Sequence, residues 1–470
     1  MVDLAGNPGR VSLNETCTSR WSSAWTGWSP DRMQDARWLN LGSVAASPGA
    51  VALVAALSAT VAASETRGNR RGATGMASLR RAVGGIVGGL LGHWEGSEPH
   101  ASFRPMEPAS FTGALVGHRQ FVPAMEGLLA ARMVEKARGI RFVADSWGDS
   151  VSFSGLASRY RPTTHLLDLA TVQGVVPATL SDDFRQEYSR VAPTVRRLVE
   201  LRALKPQARG TRQRRPTVYQ DVPPHLATAH AAIEADVRAA NKFAAGFTIE
   251  GCLPPRWQRV FTETFGLHGR WYAVGSDGVY QRMSEAERLD ITINGEPVSE
   301  IDVTASHLAI LLAMFGQPMP NGDPYEAEGF DRATVKAWIT ATLGKGSPVK
   351  RWAASVKATI RTQDARKVGA AVLSRYAFLE KPWSHLPPLS GLGPRHRLLT
   401  YCLMGLEASA LSAAMASLRG QGVLALPMHD GLIVPHSAEA AAMEAMRLAF
   451  REITGASVRL TVDRPEAGAG

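Results

Sequence analysis

Apolar positions along this chain change their interval, and each interval predicts an element. Phe121, Met125, Leu128, Leu129 and Met133 recur at helical spacing. Ile140 to Val143 and Val151 to Phe153 then read as strands around a Gly148-Asp149 turn. A helix followed by a two-stranded wing, with Arg159, Tyr160 and Arg161 just beyond, has the outline of a winged-helix module; an ordinary α+β packing domain with surface arginines fits the same pattern. Pro223 and Pro224 introduce an alanine-rich helix from His225 to Phe243, a thumb or a connector. The spacing predicts further helices over Asp331 to Gly344, capped by Asp331 and ended by Gly344, and over Arg397 to Leu418, with Leu399, Leu403, Leu406, Leu411 and Met415 buried. Ala438 to Ile453 is a third, with Ser437 as cap, Gly455 as stop, and Met443, Met446 and Phe450 on one face. Val458 to Val462 alternates as a closing strand.

Before residue 100 the pattern weakens. Pro48 to Ser64 is apolar but alanine-rich, a marginal helix without the leucine and isoleucine density of a membrane span. Arg67, Arg70, Arg71, Arg80 and Arg81 read as a basic linker. The GGIVGG run from Gly84 to Gly89 is open to close helix packing or to a low-complexity joint, and the joint is the expectation adopted. The expected division is a flexible basic leader over 1 to 100, a winged-helix-like accessory domain over 101 to 180, a basic loop and helical connector over 181 to 250, and a catalytic core over 251 to 470.

Charge sharpens this division. A formal net charge of +10 favours a polyanionic partner, nucleic acid before membrane, because no amphipathic basic helix or lipidation signal stands out. Arg196, Arg197, Arg202, Lys205, Arg209, Arg212, Arg214 and Arg215 form a cationic run that could neutralise several phosphates. Cys17, Cys252 and Cys402 lack metal-ligand spacing and fit free thiols in a reducing, cytoplasmic setting.

Two short apolar runs of strand character, EPVSEIDV and VLALPMHD, each carry an aspartate at or near their end, Asp302 and Asp430. A rigid sheet could hold both carboxylates at one point. Hard oxygen ligands suit Mg²⁺, with Mn²⁺ able to replace it, and a metal pair can clamp the attacking and leaving oxygens of a phosphoryl transfer. On the helix from Asp331, Arg332 and Lys336 share one face near the positive N-terminal end, where dipole and side chains favour the same anion. Cationic residues from Lys345 to Leu379, Lys350 and Arg351 among them, are expected on helices lining a nucleic-acid channel.

These stretches resemble the palm motifs shared by family-A DNA polymerases and single-subunit phage RNA polymerases. Asp302, Thr304 and the Leu308, Leu311, Leu312 helix look like motif A; His429-Asp430 at a hairpin tip looks like motif C. Gly269-Arg270 is similar to the glycine-arginine motif ahead of motif A, and Arg332 with Lys336 resembles motif B. The resemblance covers roughly residues 250 to 470. It implies an α+β right-hand polymerase core, an antiparallel palm sheet with helical fingers, performing template-directed nucleotidyl transfer with two Mg²⁺. By the same resemblance Asp302, Asp430 and the Val303 carbonyl hold metal, and Arg270 contacts the primer-template backbone. Arg332 and Lys336 grip the triphosphate, Lys336 also protonates pyrophosphate, and His429 orients the primer end. The implied partners are a DNA primer-template, nucleoside triphosphates and other replication proteins, with no membrane. Departures from the pattern are His307 where a glutamate screens the sugar, Thr340 where an aromatic is usual, Leu343-Gly344 in place of tyrosine-glycine, and Gly431 after Asp430. A phage-type RNA polymerase or primase-like activity, and a non-catalytic replication-initiation protein, stand as alternatives.

Overall fold

The computed structural model describes residues 36–65, 71–95, 98–147, 150–204, 219–353, 356–386 and 392–465. Arg209, Arg212, Arg214 and Arg215, expected to bind nucleic acid, lie outside the described residues. The chain forms two compact units, one comprising Met1–Val191, Gln207–Arg215 and Gly275–Gly278, the other Ala192–Pro206, Pro216–Val274 and Val279–Gly470.

Unit 1 contains β1 (Arg37–Trp38), β2 (Ser43–Ala45), α1 (Pro48–Ser64), α2 (Ala73–Leu91), β3 (Ser102–Phe103), α3 (His118–Ala130), β4 (Val134–Ala137), β5 (Ile140–Trp147), β6 (Ser150–Leu156), β7 (Arg159–Pro162), α4 (Thr164–Val172) and β8 (Phe184–Gln186). Its sheet runs β1-β3-β7-β4, and β5 pairs with β6 as the hairpin that the alternation predicts. The expectation of a flexible leader over 1 to 100 is corrected across α1 and α2. The Ser47 hydroxyl accepts from the Ala50 N–H to cap α1. Leu53 and Leu57 of α1 and Ile86 and Leu90 of α2 share one core with Phe121 and Leu128 of α3. The glycine pairs of α2 serve close packing: a Cβ on Gly85 would stand 2.7 Å from the Leu41 carbonyl oxygen, and one on Gly89 2.3 Å from that of Asn40. Alanine at either position would force the helix off the β1–β2 link beside it.

Unit 2 contains β9 (Val199–Arg202), α5 (Ala227–Ala244), β10 (Trp257–Thr262), β11 (Thr264–Ala273), β12 (Glu296–Val303), α6 (Ser306–Met314), α7 (Arg332–Lys345), α8 (Ala365–Arg375), α9 (Arg395–Gly420), β13 (Leu426–Pro427), β14 (Gly431–Pro435), α10 (Glu439–Thr454) and β15 (Leu460–Asp463). β12 is the centre of an antiparallel sheet, with β14 along one edge and β15 along the other. Its run Val298, Ser299, Glu300, Ile301 is buried at every position, as a central strand covered on both faces requires. Helix α9 is apolar and long enough to cross a membrane by length and composition, yet 61% of its apolar window is buried within the protein. Gly405 lets α9 approach β11, since a Cβ there would stand 2.3 Å from the Gly266 carbonyl oxygen.

Three expected details shift. Helix α7 runs past Gly344 to Lys345 and stops at Gly346, whose φ of 72° is the left-handed conformation that suits a terminal glycine. Ser437 does not cap α10; its backbone N–H and hydroxyl both bond the Glu296 carboxylate. Lys350 and Arg351 lie exposed in a bend beyond α7, not on a helix.

Candidate active site

The strand β12 delivers Asp302 and stops at Val303; Ala305, at φ 52°, turns the chain into α6. Asp302 stands opposite Gly431 of β14, and the Val303 N–H donates to the Asp430 carbonyl at 3.1 Å. Asp430 itself lies in the link Met428 to Asp430 between β13 and β14, which the Met428 N–H closes onto the Gly431 carbonyl at 2.9 Å. Asp302, near the end of β12, and Asp430, in the link just before β14, therefore lie where two adjoining strands run about 4.8 Å apart, one position out of register. Gly431 has a steric cause: a Cβ there would meet the Asp302 Oδ1 at 2.2 Å and the Ile301 carbonyl at 2.5 Å. Gly431→Ala is expected to displace the Asp302 carboxylate and cut catalysis on the order of 10²-fold, the cost of a misplacement of about 1 Å, while circular dichroism stays native.

Burial, then the charge of Asp430, then that of Glu300 push the Asp302 carboxyl up to about 7, with Arg288 opposing. Arg288 is committed elsewhere, its Nε and Nη2 each 2.7 Å from a Glu300 oxygen. Among the described residues no cationic side chain forms an ion pair with Asp302 or Asp430, so the negative field of the two carboxylates is offset only in part, by Arg288. That field fits a hard divalent cation. Among the described residues no three histidine, cysteine or acidic side chains cluster as ligands. An ion held by these two carboxylates, with the Val303 carbonyl as a third oxygen, keeps positions for water and phosphate oxygens, the habit of Mg²⁺.

Beside the pair stands a buried network. The Glu407 carboxylate on α9 is 1% exposed and accepts from Arg270 Nε at 3.0 Å and Nη2 at 2.6 Å, and from the Ser306 hydroxyl at 2.8 Å. His307 Nε2 stands 3.3 Å from the same group. Burial, opposed by Arg270, moves the Glu407 carboxyl up to about 7, and burial with Arg270 moves His307 down to about 4. Arg270, expected on primer-template phosphates, is thus committed to Glu407 with its side chain 15% exposed. His307 is neutral and likewise turned to Glu407. His429 packs against Tyr272 with ring centroids 5.8 Å apart, and its buried Nδ1 has no hydrogen-bond partner. Burial and Arg270, opposed by Asp430, hold its pKa below the ordinary value.

At the N-terminus of α7 the Asp331 carboxylate accepts from the Thr334 N–H and hydroxyl. Arg332 and Lys336 are exposed and both lie over the Tyr325 ring, 5.2 and 5.8 Å from its centroid. Arg332 also pairs with Asp323 at 2.8 Å. Thr340 is exposed on the same helix. Leu343, expected at the nucleotide, is 5% exposed and belongs to the core, because its position on α7 faces inward with Ile339 and Val335. Sequence reasoning underused Glu407, Tyr325 and Tyr272. Glu407 left one signal, a lone acid in an apolar and small-residue helical run; the two tyrosines left none at fixed spacing.

No family model matches this chain, and no curated protein matches it. Among solved structures the chain is similar to the POL domain of Pol1 from M. smegmatis, determined in complex with DNA primer-template and dNTP, at 13% identity and a TM-score of 0.30. The similarity covers 51% of this chain and 51% of that one. The matched part is thus about half of the structure's length.

Proposed function

We propose that unit 2 is a template-directed nucleotidyltransferase of the family-A DNA polymerase type, an antiparallel palm sheet with helical fingers. The observation that carries this reading is Asp302 at the end of β12 beside Asp430 in the β13–β14 link, with no ion-paired cation on either among the described residues. Magnesium bound there supplies Lewis acidity toward a primer 3′-hydroxyl and neutralises charge on the departing pyrophosphate. Asp302, Asp430 and the Val303 carbonyl would hold it. Arg332 and Lys336 draw the triphosphate to the α7 N-terminus, where Arg332 exchanges Asp323 for phosphate oxygens. The hydroxyl gives its proton to solvent water as its oxygen attacks the α-phosphorus, the bond from that phosphorus to the oxygen of the β-phosphate breaks, and Lys336 gives its proton to the pyrophosphate. His429, next to Asp430 in the chain, orients the primer end.

Primer extension with Mg²⁺ tests the reading, comparing dNTPs with NTPs on primed and unprimed templates. Extension of a primed template by dNTPs is expected. Synthesis from NTPs without a primer moves the assignment to the phage-type RNA polymerase or primase class, and sequence-specific retention of DNA without any synthesis leaves a replication-initiation protein.

The carboxyls also predict a pH-dependent metal response. Native Asp302 keeps its proton up to about 7 whereas the ordinary carboxyl releases it at 3.8. Across that window the metal-free native state binds the extra proton, so its stability falls as pH rises. A divalent cation competes with the same proton. Mg²⁺ should therefore raise the melting temperature clearly at pH 8 and hardly at pH 5.5; equal shifts at both values would remove Asp302 from the ligand set.

A further inference from the structure

The two carboxylates reach their positions by unequal means. Asp302 lies on a central strand registered to β14 over five consecutive pairs, Val298 with Pro435 through Asp302 with Gly431. Asp430 hangs from a link whose other leg, β13, is only Leu426 and Pro427, paired with Ile433 and Leu432. Pro427 has no N–H to give to a ladder. A two-residue strand ending in proline would leave the approach to Asp430 loose.

The leg is held by side chains from the segment after β11. The Tyr280 hydroxyl donates to the Pro427 carbonyl at 2.7 Å and accepts from Trp257 Nε1 at 3.0 Å. Gln281 Nε2 donates to the same carbonyl at 2.7 Å and to the Trp271 carbonyl at 3.1 Å, while its Oε1 accepts from the Ala273 N–H at 2.8 Å. Both lone pairs of one carbonyl, three residues before Asp430, are thereby fixed to β10 and β11. Tyr280 is fully buried, and its hydroxyl is engaged on both sides. Rigid support of this kind sets whether a ligand group stands where an ion needs it.

We propose that Tyr280 and Gln281 are positioning residues that set the place of Asp430 relative to Asp302, and hence the affinity of the carboxylate pair for a divalent cation. The proposal rests on the metal reading above.

The test uses the full chain and Mn²⁺ as the probe, its binding followed by loss of the free-ion electron paramagnetic resonance signal, with primer extension measured in parallel. Gln281→Met removes three bonds and should raise the Mn²⁺ concentration for half-saturation about 10-fold, within the range known for supports of metal ligands. Tyr280→Phe removes one bond to the carbonyl and should raise it about threefold, and it keeps the test open if Gln281→Met does not fold. Both should lower the melting temperature modestly. A lower melting temperature with unchanged Mn²⁺ affinity in both variants makes the residues merely structural and overturns the proposal. Wild-type protein that extends primers while the variants bind Mn²⁺ normally spares the polymerase reading and removes this one. Weaker Mn²⁺ binding in the variants, with no primer extension by the wild type, does the reverse.

Discussion

Asp302→Asn and Asp430→Asn should each reduce nucleotide addition on the order of 10³-fold or more while the fold stands. Asparagine keeps the shape of the side chain and one oxygen but removes the charge that would hold a divalent ion between β12 and the β13–β14 link. Losing an ion that stabilises transition-state charge by several kcal/mol removes a factor of ten for about every 1.4 kcal/mol. The same substitution at 302 eases a native strain, since burial and Asp430 already push that carboxyl toward its neutral form. At pH 8 without metal, Asp302→Asn should therefore melt no lower than the wild type. A general fold defect would give the opposite pairing of results. Single-turnover extension with Mg²⁺ and a thermal melt on the same preparations separate the two; activity within tenfold of wild type for either variant would end the metal assignment.

Much of this arrangement is legible along the chain because it is local. An apolar run closed by an acid, a hairpin tip, and a helix capped by Asp331 each declare themselves within about ten residues, and β12, the β13–β14 hairpin and α7 follow. Where a choice depends on distant neighbours, the sequence leaves it open. Gly344 is the expected end of α7, and the shift to Gly346 is tertiary: a Cβ on Gly346 would stand 2.0 Å from the His396 carbonyl oxygen, while Gly344 faces open space. The GGIVGG run has the composition of a joint and becomes a packing face only because residues 39 to 43 lie against it. Arg270 and Glu407 are 137 residues apart. No spacing rule links an arginine in one strand to an acid in one helix, so Arg270 reads as free for phosphate when it is already engaged.

The segment Gly275–Gly278 makes the same point in unit 1, and it carries the largest stability effect. Arg104 is 0% exposed; its Nη1 donates to Asp277 Oδ1 at 2.9 Å and to the Leu39 carbonyl at 2.6 Å. Asp277 also accepts from Trp38 Nε1 at 2.8 Å and from the Leu41 N–H at 3.3 Å. The guanidinium lies over the Trp38 and Phe111 rings, with its Nε already lacking a partner. Asp277→Ala strands a buried cation and two further donors at once. Breaking a buried pair by removing one partner costs about 3–5 kcal/mol, and at roughly 2–4 °C per kcal/mol for a domain of this size the melt of unit 1 should drop by about 10 °C. Replacing both partners, Arg104→Met with Asp277→Leu, should recover only part of that loss, because no unpaired charge remains but Trp38 Nε1 and the Leu41 N–H still lack their acceptor. Thermal melts with limited proteolysis of unit 1 read both. A drop below about 2 °C for Asp277→Ala would mean that solvent reaches the guanidinium and that the pair contributes as weakly as one on the surface.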